Sequence, residues 1–546
     1  MVKAFLEDVK QFFTNKIFCF VVCLAAIGSY GFKISHISIG IDDTCVPLYF
    51  EDGLAPAVGR WTLFLINKIF HISEFTPWIT DLVGVLFLIV SSALWCVLLW
   101  RVFGNRVSDI GYVFFASLFI TCPLISEVYV YYLHNGIGLG YGLTAVALLY
   151  VQDILKNNYQ WRKCCIDVLN AAIFLTIALG CYESFMMVYI MGVVLLFIAM
   201  GMIYEKGYGS KIWKWGVFAV IPVILAMLLR SIMINLVCAV FQVSIPENFN
   251  VGLRSLSLFS GSASELFMYV KRYWVKFFLN FFAYLPITVL VFGIGTLFVL
   301  CVIHGIKKKD VCLPLAAIAL PILPVLLIFI EGKESYYRAS QYVPLVGAFA
   351  VFLLVWKGQQ ILPVWGKRVG IFALTALLWN QCEEMNRMFY FDYLKYEYFK
   401  DVVTKVAYDL GNGYDLSKPV IFEGECSVPR YIVENVSLRF DSTEYRIIKK
   451  IGDLVDEHLI EKYNMSDGTG YLYVETPIFS TLQWGITAFD DTSREIGNFM
   501  SMHGYEVIIE TDLMKIKQAE ELSVDMRRFP QEGYIREYEE YIIINL

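Results

Sequence analysis

The chain has 546 residues, of which 58% are hydrophobic and 17% charged, against about 45–50% apolar and about 25% charged in an ordinary soluble domain. That excess has to be placed in lipid, so a purely soluble protein is excluded. The net charge of −6 is small for this length, and no Lys/Arg-dense segment interleaved with aromatics is present, which argues against nucleic acid as a partner.

The apolar runs fill residues 1 to 380, whereas 381 to 546 return to a soluble mixture with runs such as Asp525, Arg527 and Arg528. Two domains are therefore expected. Lys3, Lys10 and Lys16 precede the first apolar run with no small-residue cleavage site after it, so that run reads as an anchor rather than a cleaved signal. Most cysteines (Cys19, Cys23, Cys96, Cys122, Cys181, Cys238, Cys301) lie in apolar spans and the tail has Cys382 and Cys426. Neither a disulfide framework nor zinc-type spacing is visible.

Runs long enough to span lie near 17 to 35, 79 to 100, 108 to 126, 137 to 155, 166 to 182, 185 to 203, 214 to 240, 284 to 303, 311 to 330, 343 to 356 and 369 to 380. The fold class expected is an all-α polytopic membrane domain of about eleven helices with a small α/β domain at its C-terminal end. With the N-terminus cytoplasmic, alternate loops carry Lys3/Lys10/Lys16, Arg101/Arg106, Lys156/Arg162/Lys163, Lys206/Lys211/Lys214, Lys307/Lys308/Lys309 and Lys357/Lys367/Arg368. The short opposite loops hold acids and aromatics: Asp42, Asp43, Glu51 and Asp52, then Glu127 with Tyr129, Tyr131 and Tyr132, then Glu183. Positive-inside bias thus puts the N-terminus in the cytoplasm and, with an odd helix count, the tail outside.

Two outer segments have the spacing of amphipathic helices lying in the interface, 56 to 71 and 263 to 283, and would roof a lateral cavity. The tail opens with an aromatic amphipathic stretch from Met388 to Leu410. It then alternates strand candidates (Pro419 to Phe422, Tyr471 to Glu475, Val507 to Glu510, Tyr541 to Asn545) with helical patches such as Ser493 to His503.

The residues that can carry chemistry cluster in the outer loops. Asp42 and Asp43 follow the first span directly; adjacent acids there tend to hold a proton or a metal, which suits a general base facing a hydroxyl, although an acid-rich outer loop also simply obeys topology. In the loop 331 to 342, Arg338 can clamp a lipid phosphate bidentately with Lys333 as a second point charge and Tyr337 beside it, or both cations can snorkel to headgroups. Glu183 sits at a tight turn between two spans and needs a partner. His134 can donate to a phosphate or hydroxyl on the same face, or lie among interfacial aromatics. Arg230 lies deep in the seventh span, where an unpaired guanidinium costs at least about 2.5 kcal/mol, so it should face a carboxylate such as Glu183, a lipid phosphate or a cavity.

Taken together, Ser38-Ile-Gly-Ile-Asp42-Asp43, Gly59-Arg60-Trp61, Gly180-Cys-Tyr182-Glu183-Ser184, Tyr337-Arg338 to Pro344, and Asn386 to Asp392 give the chain an order of motifs over residues 35 to 400. In that order it resembles the bacterial Gtr type II glucosyltransferases, O-antigen modifiers similar to the GT-C membrane glycosyltransferases. The family usually has glutamine after the tyrosine where this chain has Glu183. The resemblance implies transfer of a hexose, glucose first, from a polyprenyl-phosphate sugar to a surface glycan outside the bacterial cytoplasmic membrane. It implies an essential acid in the first outer loop, which falls on Asp42 or Asp43, and companions that make and flip the lipid-linked glucose.

The expected reaction is a single inverting displacement, with Asp42 or Asp43 as base and Arg338, Lys333 or Arg230 holding the phosphate. No third ligand accompanies the paired acids, so no cofactor and no metal are expected, magnesium or manganese being the ions that would show otherwise. The rivals are a polysaccharide polymerase or ligase using a diphosphate-linked oligosaccharide through Arg254, Arg272 and His134, a transporter or flippase, for which duplicated halves are missing, and an envelope scaffold.

Overall fold

The structure is a computed structural model that describes residues 2–39, 43, 54–70, 76–132, 136–156, 161–204, 212–243, 261–271, 287–331, 339–424, 426 and 493–546. In chain order its helices are α1 (Val2–Thr14), α2 (Lys16–Ser35), α3 (Leu54–Ala57), α4 (Trp61–Phe70), α5 (Pro77–Phe103), α6 (Asp109–Ile120), α7 (Ser126–Tyr129), α8 (Ile137–Lys156), α9 (Trp161–Cys181), α10 (Phe185–Ile203) and α11 (Ile212–Val240). There follow α12 (Ile287–Lys308), α13 (Cys312–Ile322), α14 (Val325–Glu331), α15 (Val343–Ile361) and α16 (Val364–Gly413). The tail adds β1 (Val420–Glu423), α17 (Ser493–Met502), α18 (Leu513–Ser523), β2 (Ile535–Glu537) and β3 (Ile542–Asn545).

Among the described residues seven helices are long and apolar enough to cross a membrane: Lys16–Ser35, Pro77–Arg106, Ile137–Leu155, Trp161–Cys181, Phe185–Ile203, Gly216–Val240 and Val343–Ile361. Their surfaces are inside out relative to a soluble bundle. On α11, Val220, Ile224, Leu228, Ile232 and Leu236 recur every fourth residue and are all more than half exposed, which is one apolar helix face that the described residues leave uncovered. The opposite face, Ala226, Arg230 and Ile234, is buried. On α2, Ile17, Phe20, Leu24 and Ile27 are likewise outward, while Val22, Ala25, Ala26, Ser29 and Lys33 point in. Lipid is the solvent that makes such faces stable.

Local chemistry sets several boundaries. Asn15 separates α1 from α2, its side chain accepting from the N–H groups of Ile17 and Phe18 as an N-cap and its amide donating to Asp109 at 3.0 Å. On the same side, Arg101 pairs with Asp8 at 2.9 Å and Asp153 at 3.4 Å, tying α1, α5 and α8 together. The apolar run read as one span over 311 to 330 is instead two helices, α13 and α14. Pro321 and Pro324 explain the break, because proline removes a helix hydrogen bond and collides with the preceding turn.

The segment 56 to 71 also differs from its sequence reading. Gly59, at φ +91°, interrupts it, and α4 is buried at Trp61, Thr62, Leu63, Phe64, Ile66 and Asn67 through packing on α9 and α11. Its apolar stripe faces protein, and only Lys68, Ile69 and Phe70 are exposed. Of 263 to 283, residues 263–271 are helical and the remainder lies outside the described residues.

Helix α16 runs unbroken through residues 380 and 381 for 50 residues, or about 75 Å at 1.5 Å per residue, more than twice the hydrocarbon thickness of about 30 Å. Its first part carries exposed Phe372 and Trp379; its last part buries Phe399, Val402, Val403, Val406 and Leu410 in the tail's own core. That core includes a three-stranded sheet ordered β1-β3-β2, with β1 parallel to β3 (Val420 opposite Ile542) and β2 antiparallel to it. The strand candidate 507 to 510 contributes one bridge, Ile509 to Val420, and 471 to 475 lies outside the described residues.

Candidate active site

Among the buried polar groups of the described residues, two clusters gather charge. The first gathers at the C-terminal end of α2. Lys33, Ser38, Asp43, Asp81, Asp392 and Lys395 are all buried, Asp43 to 0% exposure. The Lys33 ammonium donates to the carbonyl and hydroxyl of Ser38 at 3.4 and 3.2 Å and lies 4.1 Å above the Tyr132 ring. It is within electrostatic reach of Asp43, Asp81 and Asp392. The Ser38 hydroxyl in turn donates to Asp392 at 2.5 Å, and Lys395 pairs with the other oxygen of Asp392 at 3.3 Å.

Charge thus reaches one place from α2 (Lys33), the segment after it (Asp43), α5 (Asp81) and α16 (Asp392 and Lys395), with the Tyr132 ring from the turn after α7 beside it. Removing an ion from water costs several kcal/mol, which close pairing offsets only when geometry is good. A buried carboxylate whose neighbours include both an ammonium and other carboxylates is suited to taking up a proton.

The second cluster joins two motifs more than a hundred residues apart. At φ +91°, Gly59 leaves room for the Arg230 guanidinium, since a Cβ there would collide with its Nη2 and come within 2.9 Å of Cζ. Gly180 does the same for the Trp61 ring, 2.6 Å from where a Cβ would stand. Next in the chain, Arg60 approaches Glu183 at 3.8 Å and stacks over the Tyr182 ring at 4.8 Å. Arg230 has Glu183 and Arg60 as its charged neighbours and is 6% exposed, yet its Nε and Nη2 have no hydrogen-bond partner among the described residues; the same holds for Glu183 Oε2 and Ser184 Oγ. A guanidinium with two open donors in a dry site is a ready phosphate clamp.

Of the residues singled out in the sequence, Asp43 therefore lies in the first cluster and Glu183 and Arg230 in the second. Asp42, His134, Lys333, Tyr337 and Arg338 lie outside the described residues. The sequence reading passed over Lys33 and Asp81, although a lone ion at the edge of an apolar run was a usable signal, and over Lys395. An apolar cavity of about 460 Å³ between α10, α11 and α13, lined by residues such as Val193, Phe197, Ala219, Val223 and Ala316, offers room for hydrocarbon and little for polar chemistry.

Family comparison places these clusters. The family described as "Glucosyl transferase GtrII" matches residues 31–355, more than half of the chain. The chain belongs to the GtrII glucosyltransferase family. No curated protein and no solved structure matches it. The GtrII match contains Lys33, Asp43, Asp81 and the whole Arg60–Glu183–Arg230 cluster, and ends within α15. Asp392 and Lys395 are supplied from beyond it, by the helix that carries the tail.

Proposed function

We propose that this GtrII member is a membrane glucosyltransferase that moves a hexose, glucose first, from a polyprenyl monophosphate to a hydroxyl of a surface glycan on the outer face of the bacterial cytoplasmic membrane. The observation that carries the reading is that the family-matched region holds both a fully buried carboxylate, Asp43, and a buried guanidinium with open donors, Arg230. The acceptor oxygen attacks the anomeric carbon and the sugar–phosphate C–O bond breaks. The bonding pair leaves with the phosphate, and the hydroxyl proton passes to Asp43 or its neighbour Asp42, giving inversion at the sugar.

Arg230 and Arg60 stabilise the charge that grows on the departing phosphate, with Arg338, Lys333 and Tyr337 contributing from the later outer loop and His134 from an earlier one. Each such contact is worth about 2–4 kcal/mol of barrier, or roughly 100-fold in rate. The donor charge fits a phosphodiester: two guanidinia against one carboxylate, Glu183, leave one positive charge, and a lipid-phosphate sugar carries one negative charge. No step requires a metal.

The test uses the purified full-length chain in lipid nanodiscs with envelope polysaccharide from its host and either polyprenyl-phosphate glucose or a polyprenyl-diphosphate oligosaccharide. Label should pass to polysaccharide from the first donor, and Asp43→Asn should lower that transfer roughly 100-fold. Transfer from the diphosphate donor alone would replace this reading with a polymerase or ligase.

A further inference from the structure

The reactive loop begins at the end of α2, and the structure shows what grips it there. Lys33 lies in the last turn of α2, two residues before the helix ends at Ser35, and its ammonium reaches forward to the carbonyl and hydroxyl of Ser38. It thereby folds the extended residues after His36 back onto the helix. Ser38 is then held a second time by Asp392 at 2.5 Å. The next residue, Ile39, packs against the tail core built around Tyr396, Phe399 and Ile496. The Asp392 bond and the Ile39 contact come from α16 and the tail, 354 residues away for the Ser38–Asp392 bond, and Ser38 precedes Asp43 by only five positions.

We propose that Lys33 and Asp392 are positioning residues for the Asp43 carboxylate, and that through them the tail domain sets the geometry of the catalytic loop. The inference rests on the assignment of Asp43 as base. Ordinary fold maintenance would also bury paired ions, but ions serving only the fold have no reason to converge on Ser38, where the chain leaves α2 toward Asp43. A base displaced by an ångström loses about 100-fold in rate. Lys33 has an electrostatic role as well, because an ammonium beside a carboxylate favours its ionised form. The other charged and titratable groups around that carboxylate are Tyr132 from the turn after α7, Asp81 from α5, and Asp392 with Lys395 from α16, grouped through Lys33.

The experiment measures transfer from polyprenyl-phosphate glucose by the full chain in nanodiscs, across pH, for Lys33→Met, Ser38→Ala, Ser38→Thr, Asp392→Asn and Asp43→Asn. Lys33→Met should lower kcat at least about tenfold with the donor KM within about twofold, and should move the acid limb of the profile to higher pH. Ser38→Ala should lower kcat by about tenfold with the acid limb in place, while Ser38→Thr, which keeps the hydroxyl, restores it. Should Lys33→Met fail to fold, the Ser38 pair and Asp392→Asn decide the matter. Full kcat in Ser38→Ala and Asp392→Asn, or a Lys33→Met profile superimposable on the parent, overturns the proposal. Asp43→Asn separates the two levels: an active Asp43→Asn removes the base assignment itself, whereas an inactive one beside unaffected Ser38 and Asp392 variants removes only the positioning role.

Discussion

Gly59 and Arg230 touch because residue 59 has no side chain: the guanidinium occupies the space a Cβ would need, and the backbone there is left-handed at φ +91°. Both facts forbid alanine. Left-handed backbone costs a non-glycine residue about 1–2 kcal/mol, and the overlap must be relieved by moving Arg230. Gly59→Ala is therefore expected to lower the thermal midpoint by a few degrees and glucosyl transfer by at least about tenfold. A variant with parental transfer would show that the position of Arg230 is immaterial.

Arg230 itself should separate stability from activity. A guanidinium in mid-span with unsatisfied donors costs the fold at least about 2.5 kcal/mol, and Glu183 keeps Arg60 as a partner when Arg230 is removed. Arg230→Met is expected to leave the thermal midpoint unchanged or raise it while transfer falls by roughly 100-fold. Lower stability with transfer intact would make Arg230 a structural residue.

How far the sequence could be read follows from the range of each interaction. Spans came from local composition, and the outward apolar stripe on α11 shows why that signal is strong: lipid and buried positions are both apolar. Most of what depended on a neighbour was not legible; the nearness of Arg230 to Glu183 is the exception, because a lone ion in an apolar span calls for an opposite charge. The stripe of 56 to 71 looked interfacial because periodicity shows that a helix has two faces and not which medium covers each. Thr62 is buried because its hydroxyl donates to the Ile177 carbonyl at 2.8 Å, a contact 115 positions away. Asp43 was legible as an acid after a span; its linkage to Asp392 was not, since nothing in either segment names the other. The break at Pro321 and Pro324 is a local signal, but hydropathy alone reads 311 to 330 as one run because proline interrupts a helix without making the segment less apolar.

The tail should respond to acid through Asp409. Burial alone would raise this carboxyl, but the Tyr534 hydroxyl donating at 2.8 Å and the Lys405 ammonium at 3.0 Å lower it further, to below the ordinary carboxylate range. A folded-state pKa below the unfolded one means that stability is present above the unfolded value, about 4, and is lost as pH falls through the folded one. Tyr534→Phe removes the hydrogen bond that fastens α16 to the segment before β2, and should cost about 1 kcal/mol at pH 7. Denaturant titration of the full chain, followed by tail fluorescence at pH 7 and pH 3, should show that difference shrink in acid. A difference of equal size at both pH values would assign the effect to packing alone.

Orientation decides which leaflet supplies the donor, and two exposed positions test it. Cys165 is exposed near the start of α9, beside Arg162 and Lys163, on the side that the proposed orientation assigns to the cytoplasm. Leu513 is 79% exposed at the start of α18 in the tail, so a cysteine there would be open to reagent without disturbing a core. In intact cells a membrane-impermeant maleimide should label Leu513→Cys above the parent chain, whereas the labelling that Cys165→Ser removes should occur only after permeabilisation. Arg230 sits in the C-terminal half of α11, which this orientation puts in the outer leaflet with Gly59 and the Glu183 turn. The opposite labelling pattern would put both clusters on the cytoplasmic side, where transfer to a surface glycan could not occur.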